Sequence, residues 1–587
     1  MASPPTGSPA GKLLRPPGVP VVRPPAGTRW ALRYRWWALP VAAVLFTCYL
    51  RLSWTVPATS DGAAIALQAW DMLHGNVLLH GWTLGDVSFY TTELPEYAGV
   101  EAVRGLGPAD VHIAAALTYT LLVLLAGLVA KGRATGVNGL VRVLIASGVM
   151  LAPQLGHGAF LLLLNPDHVG TGVPLLLTWL VLDRAPRRWY VAVITGLMLA
   201  WIQVADRVAL VTAVLPLVLV CVFRVCRALA RSQAPAGSQA PAGSQVPARR
   251  RPPAFELALA AAAILSAAAA WLAGRAITAA GGFTANPLPT VPATLGSVPV
   301  HLWLTARGVL ALYGAEFPSH GPGLVFAVAH LAGLALAVWA FALAVRRFPR
   351  EQELIVQVLP VAIVVNLVTY ISTNLPGTVV GTGYPTREIA AVLPLGAVLA
   401  GRLLAGPLLA RHAPADTRPP GRHPLMARWP RLAAPALALC AAGYLAALGY
   451  GAAQPAVAAQ EQDLAGWLAA HHLTAGLSGP EANVTTLDSG GRVQVMVTSF
   501  GGGGGGRVGG VAARAYQSQA SWYDPRLHYA NFVVTTAPQG PTVDVPYGDA
   551  VRTFGPPARV YHFAGYTIVV WDENLLARLG RHTLHPA

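Results

Sequence analysis

The chain has 587 residues, of which 54% are hydrophobic and only 11% are charged. Soluble globular proteins carry about 25% charged residues, so this composition excludes an ordinary soluble enzyme and indicates a membrane protein with several spans. The formal net charge of +16 lies in short clusters between apolar runs. That distribution is typical of membrane orientation, and we expect no nucleic-acid partner.

A basic, proline-rich tail at residues 1–35, which we expect to be disordered and cytoplasmic, precedes the first apolar run. Apolar runs of about 20 residues, the length that crosses a bilayer, then recur through residues 36–452. They predict an α-helical polytopic transmembrane domain of about 11 spans. The predicted spans are 36–56, 111–130, 139–163, 170–184, 189–205, 207–226, 254–280, 321–345, 354–372, 388–405 and 432–452.

The basic residues predict the orientation of these spans, because cytoplasmic loops are enriched in lysine and arginine. With the N-terminus in the cytoplasm, 25 of the 41 lysines and arginines fall in cytoplasmic segments, and these include the linker 227–253. We therefore expect a multi-pass protein of a bacterial plasma membrane with its C-terminal region outside the cytoplasm.

Residues 453–587 are polar and differ in kind from the rest of the chain. Runs rich in β-branched and aromatic residues predict strands at 493–498, 532–536 and 566–571. Helix patterns occupy about 459–472 and the residues after Asp572. These elements predict an extracytoplasmic α/β domain.

The first predicted outside loop, residues 57–110, is long and holds seven of the 25 acidic residues, among them Asp61, Asp86 and Glu93. Loops of this length in compact proteins are usually functional, and carboxylates beside aromatic rings suit a carbohydrate ligand. Asp61 opens a stretch that predicts a helix to about Leu73. Its carboxylate either caps that helix or acts on substrates at the lipid–water boundary.

The second predicted outside loop places two ionisable residues between apolar runs, where charge is costly unless it is used. Asp167 and His168 follow Asn-Pro, so they are either turn residues or partners of Asp61 in a site. We favour the site, because Asp61 supplies a second carboxylate.

Two further charged pairs lie at the outer ends of spans. Arg387 opens the tenth span and either holds a phosphate or is, with Glu388, a plain surface charge. Asp206 and Arg207 are expected to form an internal ion pair.

Two stretches carry a resemblance to a known class. SDGAAIALQAWDMLHGN, followed by GWTL and FYTTEL, looks like the first outside loop of GT-C integral-membrane glycosyltransferases. LAGWLAAHHLTAGLSG with EANVTTLDSGGRVQV looks like the start of their outer domain. With its many spans and acidic first loop, the chain resembles the actinobacterial mannosyltransferase-like branch of the GT-C class.

The resemblance implies transfer of a sugar from a polyprenyl-phosphate donor to an envelope glycan or glycolipid, with inversion at the anomeric carbon. Asp61 would be the general base, and Asp167 would support the acceptor or a divalent cation. Arg387 would hold the lipid phosphate. Further substrate contacts are expected from Asp86, Glu93, His168 and Tyr384.

Two other functions stay open on the sequence alone. A lipid or sugar transporter or flippase would place ionisable residues in mid-span, whereas most acids here lie in predicted outside loops. A non-catalytic scaffold for envelope assembly would need the outer domain and would tolerate the loss of Asp61.

Overall fold

The computed structural model describes residues 26–233, 254–286, 290–317, 323–377, 384–410, 424–457, 460–479, 481–500, 510–536 and 545–579. The predicted tail at 1–35 and linker 227–253 fall mostly outside the described residues. The chain divides into two compact units, Met1–Val44 and Leu45–Ala587. In the first unit the described residues are helical, and the contacts and cavities discussed below belong to the second.

Helices dominate the described chain up to Ala452. They are Ala26–Ser53, Ser60–Leu73, Glu93–Arg104, Ala109–Lys131, Gly136–Val149, His157–Leu163, Gly172–Arg184, Trp189–Ala205, Leu215–Gln233, Ala254–Ala279, Val298–Leu312, Gly323–Arg347, Leu354–Ile371, Val392–Ala410 and Pro424–Ala452. A π-helical turn, Leu210–Val214, precedes Leu215–Gln233, and 3-10 turns lie at Phe348–Arg350, Leu375–Gly377 and Tyr384–Ile389.

Six of the described helical segments are long and apolar enough to cross a membrane. They are Ala109–Lys131, Leu210–Arg231, Ala254–Ala279, Gly323–Arg350, Leu354–Ile371 and Pro385–Leu409. Shorter apolar helices accompany them, including Trp189–Ala205 and Val298–Leu312. The helical membrane protein predicted from composition is confirmed, while the count of about 11 spans and their orientation stay predictions.

The predicted span at 139–163 is wrong, because the structure has two helices there, Gly136–Val149 and His157–Leu163. The backbone between them is irregular. Pro153 has no N–H to donate to a helix, and Gly156 has a φ of 78°, a left-handed conformation that glycine adopts readily. The apolar composition concealed these two helix-ending signals.

A buried arginine, Arg402, joins its own helix, Val392–Ala410, to three other helical segments. The Arg402 guanidinium lies 2.7 Å from Asp183 and 2.9 Å from Glu353, and it donates a hydrogen bond to the Val129 carbonyl. Its charge is therefore compensated by two carboxylates, as a buried cation requires.

The C-terminal region contains a six-stranded sheet. Its strand order is Val511–Ala513, Gln494–Phe500, Ala475–Ser478, Phe532–Thr536, Tyr566–Val570 and Arg559–Phe563. The strand Ala475–Ser478 is parallel to both of its neighbours, and the other pairs are antiparallel. The helices here are Gln460–Ala470, Ala482–Asp488 and Tyr547–Phe554. Short 3-10 turns lie at Ala520–Tyr523 and Leu575–Ala577, where the sequence predicted a helix after Asp572.

A two-stranded ladder ties the first loop to the C-terminal region. Trp82–Thr83 pairs antiparallel with Ser518–Gln519, and the Trp82 ring lies edge-on to Trp522 at 5.0 Å. The Trp82 indole N–H also donates to Asp71 at 2.7 Å. These contacts hold the segment 514–519, here called the strap, against the first loop.

Gly476 offers a test of the packing in this sheet. A Cβ at Gly476 would lie 2.2 Å from the buried Phe532 ring, so we expect Gly476→Ala to destabilise the protein by about 1–3 kcal/mol through overpacking. Gly466→Ala is the matched control, because its Cβ would meet nothing within 4 Å and it lies inside a helix, where alanine is favoured. Thermal unfolding of the detergent-solubilised protein should move in opposite directions for the two variants.

The helix Glu93–Arg104 buries two carboxylates, Glu93 and Glu101, and half-buries a third, Glu96. Burial raises the pKa of Glu96 to about 7 and that of Glu101 to about 9. Neither carboxylate oxygen of Glu101 has a hydrogen-bond partner in the described part of the chain. The fold therefore favours the neutral form of Glu101.

Glu101 should make the protein less stable as the pH rises. The pKa of Glu101 is higher in the folded state than its ordinary value of 4.5, so between these two pKa values the folded state binds a proton that the unfolded state releases. The stability that this proton contributes is full below about pH 4.5 and is lost as the pH rises to about 9. We expect Glu101→Gln to raise the free energy of unfolding at pH ~8 by at least about 1 kcal/mol. The unfolding temperature should rise with it and should depend less on pH. The exposed Asp463→Asn is the control. An unchanged pH profile in Glu101→Gln would contradict the burial of this acid.

Candidate functional site

A cavity of about 320 Å³ lies where the first loop, the loop 165–171, the turn before Val392–Ala410 and the strap meet. Most polar groups in its wall are ionisable. They are Asp61, Asp86, Asp167, His168, Arg387, Glu388 and Tyr516, together with the amides Gln68, Asn374 and Gln517. A cavity with several ionisable groups in its wall, next to apolar helices, is suited to a substrate with a polar group and an apolar chain.

Asp61 lies in the first turn of the helix Ser60–Leu73, which ends where the sequence predicted. Thr59 is the N-cap residue, so capping is not the role of the Asp61 carboxylate. That carboxylate accepts a hydrogen bond of 2.6 Å from the Gln517 side chain in the strap. Gln517 has a φ of 52°, a costly conformation for a residue other than glycine.

The loop after His157–Leu163 carries Asp167, which is almost fully buried. Its carboxylate accepts a 2.8 Å hydrogen bond from Asn165 and lies 3.6 Å from the Arg387 guanidinium. Arg387 also donates to the Asn165 carbonyl at 2.9 Å. Burial raises the pKa of Asp167 to about 6, although the Arg387 charge acts in the opposite direction.

His168 stands between two carboxylates in a left-handed conformation with a φ of 57°. Its Nδ1 lies 3.0 Å from Asp206 and its Nε2 lies 3.4 Å from Glu388. Thr171 donates a 2.7 Å hydrogen bond to the same Asp206 oxygen. Burial alone would lower the pKa of His168, but Glu388 and Asp206 outweigh it and raise this pKa well above its ordinary value. The contact with His168 in turn lowers the pKa of Asp206 against the opposing effect of burial.

Asp206 therefore pairs with His168 and not with its neighbour Arg207. The expected internal pair between Asp206 and Arg207 is wrong, because Arg207 is exposed while the Asp206 side chain is fully buried. Sequence adjacency suggested the pair, but the fold buries Asp206 beside His168 and leaves Arg207 exposed.

Asp86, His168 and Glu388 can together hold a divalent cation. One ligand atom from each residue lies within 4.8 Å of the others. With its Nδ1–H donated to Asp206, His168 would present Nε2 to the ion, which is the usual carboxylate–histidine–metal arrangement. Burial raises the pKa of Asp86, although the charge of His168 acts in the opposite direction.

The structure brings Asp61, Asp86, Asp167, His168 and Arg387 to the wall of one cavity. Glu93 is fully buried and packs against Gly170, behind the loop that carries Asp167. Tyr384 begins the 3-10 turn Tyr384–Ile389, and its side chain lies outside the described part of the chain.

Glu388, Gln517 and Tyr516 are among the wall residues that were not predicted as site residues from the sequence. Glu388 was considered only as a surface charge, yet its side chain faces His168. Gln517 and Tyr516 come from the strap, and no local pattern distinguishes them. The opposing charges of Arg387 and Glu388 at the start of an apolar segment were the one signal that could have identified Glu388.

No family model matches the chain, and no curated protein sequence matches it. Among solved structures, the chain is similar to the archaeal oligosaccharyltransferase AglB from Archaeoglobus fulgidus, which was solved in complex with an inhibitory peptide and a dolichol-phosphate. The similarity has a TM-score of 0.44 and an identity of 11%, and it covers 86% of this chain and 70% of that one. At this level the similarity does not define a family, so function has to be inferred from the cavity.

Proposed function

We propose that the protein is a GT-C-type membrane glycosyltransferase that moves a sugar from a polyprenyl-phosphate donor to a cell-envelope acceptor at the outer face of a bacterial plasma membrane. The observation that carries the proposal is the Asp61 carboxylate in the wall of a cavity with four further ionisable groups predicted from the sequence. This cavity adjoins helices that are apolar enough to lie in a bilayer.

The proposed reaction needs a base and a way to stabilise a departing phosphate. The acceptor hydroxyl attacks the anomeric carbon, its proton passes to Asp61, and the bond from the anomeric carbon to the phosphate oxygen breaks with inversion. The polyprenyl phosphate leaves with the electron pair of that bond. Arg387 supplies positive charge in the cavity wall, where charge counts for more than in water.

Asp167 and His168 have supporting parts in this proposal. Asp167, held by Asn165 and Arg387, would accept a hydrogen bond from a sugar or acceptor hydroxyl. His168, fixed by Asp206, would orient the donor. A cation held by Asp86, His168 and Glu388 would supply further positive charge beside the phosphate.

The direct test is transfer of radiolabelled sugar from polyprenyl-phosphate mannose and arabinose donors to envelope acceptors, in membranes that contain or lack the protein. Protein-dependent transfer is the expected result. Absence of transfer across both donors and a panel of acceptors would overturn the proposal. In that case, movement of labelled lipid between leaflets would identify a flippase, and its absence would favour a scaffold.

The proposed cation site predicts stoichiometric Mn²⁺ binding by the purified protein, measured by electron paramagnetic resonance. Glu388→Gln should weaken this binding at least ~10-fold, because it removes the charge of one of the two carboxylate ligands and leaves Asp86 and His168. Glu316→Gln is the matched control, since Glu316 also lies near a histidine, His157, but outside the cavity. Equal Mn²⁺ binding by wild type and Glu388→Gln would rule the site out.

A further inference from the structure

A second and larger cavity, of about 940 Å³, lies beside the first one. Asp86 and Val87 line both cavities, so the two meet at this part of the first loop. The second cavity lies between the C-terminal ends of the helices Trp189–Ala205 and Ala254–Ala279. We call it the lateral groove.

The walls of the lateral groove are largely apolar. Ala267, Ala270 and Gly274 form one side, and the Trp271 and Phe283 rings contribute to it. The two helices approach closely farther along, where a Cβ at Gly196 would lie 3.0 Å from the Ala262 carbonyl oxygen. This close packing ends the groove on that side and leaves an apolar space suited to a hydrocarbon chain.

Two arginines, Arg207 and Arg275, also line the lateral groove. Both are exposed, and neither forms an ion pair with any carboxylate in the described ranges. Arg275 belongs to a helix apolar enough to cross a membrane and lies 5.1 Å from the Trp271 ring centroid. Arg275 lies in the last turns of this helix, which ends at Ala279, so its charge can stay exposed while its aliphatic stem lies along apolar surface.

Arg387 differs from these two arginines, although all three adjoin the cavities. Its side chain is only 3% exposed, and it already faces Asp167 and the Asn165 carbonyl. The Nε of Arg387 has no hydrogen-bond partner among the described residues, but the exposed Arg207 and Arg275 offer more free donors to an added anion. Arginine holds phosphate through paired N–H donors.

We infer that the lateral groove binds the lipid phosphate of the donor. Arg207 and Arg275 hold the phosphate oxygens, the apolar wall holds the first units of the polyprenyl chain, and the sugar passes Asp86 and Val87 into the first cavity. A free phosphate would leave the apolar wall unused and a neutral lipid would leave both arginines unpaired, so the groove fits a ligand with both parts. The identity of the lipid rests on the proposed function.

The test measures binding of radiolabelled polyprenyl phosphate, without a sugar, to the full chain in lipid nanodiscs. Arg207→Gln with Arg275→Gln should weaken binding at least 10-fold, and each single change should give part of that loss. Arg104 is exposed at the end of the helix Glu93–Arg104 and lines neither cavity, so Arg104→Gln should bind as the wild type does. Neutral polyprenol should bind the wild type weakly and should be insensitive to the double change. Wild-type affinity in the double variant would overturn the inference, as would full competition by inorganic phosphate at low concentration.

The outcome can be separated from that of the proposed function. Asp61→Asn should bind polyprenyl phosphate normally even though its transfer is lost. If no donor supports transfer but lipid-phosphate binding depends on both arginines, the groove assignment stands and the transferase falls. If transfer occurs and the double variant keeps the wild-type KM for the donor, the transferase stands and the groove assignment falls.

Discussion

Asp61→Asn should reduce sugar transfer by about 10²- to 10⁴-fold, the usual contribution of a general base. Asparagine has nearly the same shape as aspartate and can still bond the Gln517 side chain, which lies 2.6 Å from Asp61 in the wild type. The loss should therefore appear in kcat, with little change in the KM for the donor, because only proton transfer is removed.

Asp71→Asn is the matched control for this experiment. Asp71 lies in the same helix, Ser60–Leu73, and its carboxylate accepts hydrogen bonds from Asn76 and Trp82 outside the cavity. We expect this variant to keep its kcat while losing some thermal stability. Equal transfer by wild type and Asp61→Asn, at equal protein abundance in the membrane, would keep the enzyme but exclude Asp61 as its base.

Gln517→Glu should have an effect of similar size through a different physical cause. The change places a second carboxylate beside Asp61, and two unit charges about 4 Å apart repel by ~4 kcal/mol near a protein surface. Either the strap moves away or one carboxylate takes up a proton, and both outcomes disable the base. We expect a loss of at least about 100-fold in kcat.

Two further variants make this prediction specific. Gln517→Asn should lose less activity, because it keeps an amide donor but shortens its reach. Gln519→Glu introduces the same charge into the strap, next to Asp71, which lies 3.4 Å from the Gln519 amide, and it should largely spare kcat. A fully active Gln517→Glu variant would show that the strap does not contact Asp61 during turnover.

Much of the fold follows from patterns of local range. The predicted span at 189–205 coincides with the helix Trp189–Ala205, and the strand predicted at 532–536 coincides with Phe532–Thr536. Both agree because apolar runs and β-branched runs act over a few residues. The break at Pro153 was missed, because the span at 139–163 was predicted from its overall apolar composition and the single proline changes that composition very little.

The candidate site was predicted less completely, for a reason of distance along the chain. Asp61 and Asp167 could be proposed as partners because each is an acid beside an apolar run. Asp61 contacts Gln517, which lies 456 residues farther along the chain, and Asp167 contacts Arg387, which lies 220 residues farther along. Nothing local in the sequence specifies either contact. His168 with Asp206 shows the same limit, since the adjacent Arg207 was the more obvious partner.

The ladder between Trp82–Thr83 and Ser518–Gln519 has a consequence for biosynthesis. During translation Asp61 emerges early, but Gln517 follows 456 residues later, after every described apolar helix has been made. A nascent chain, or one truncated before the strap, therefore carries the proposed base in an unfinished cavity. Competence for the proposed catalysis would be acquired last, when the C-terminal sheet has folded and its strap has docked, so a partly made chain would not act on the proposed lipid-linked donor.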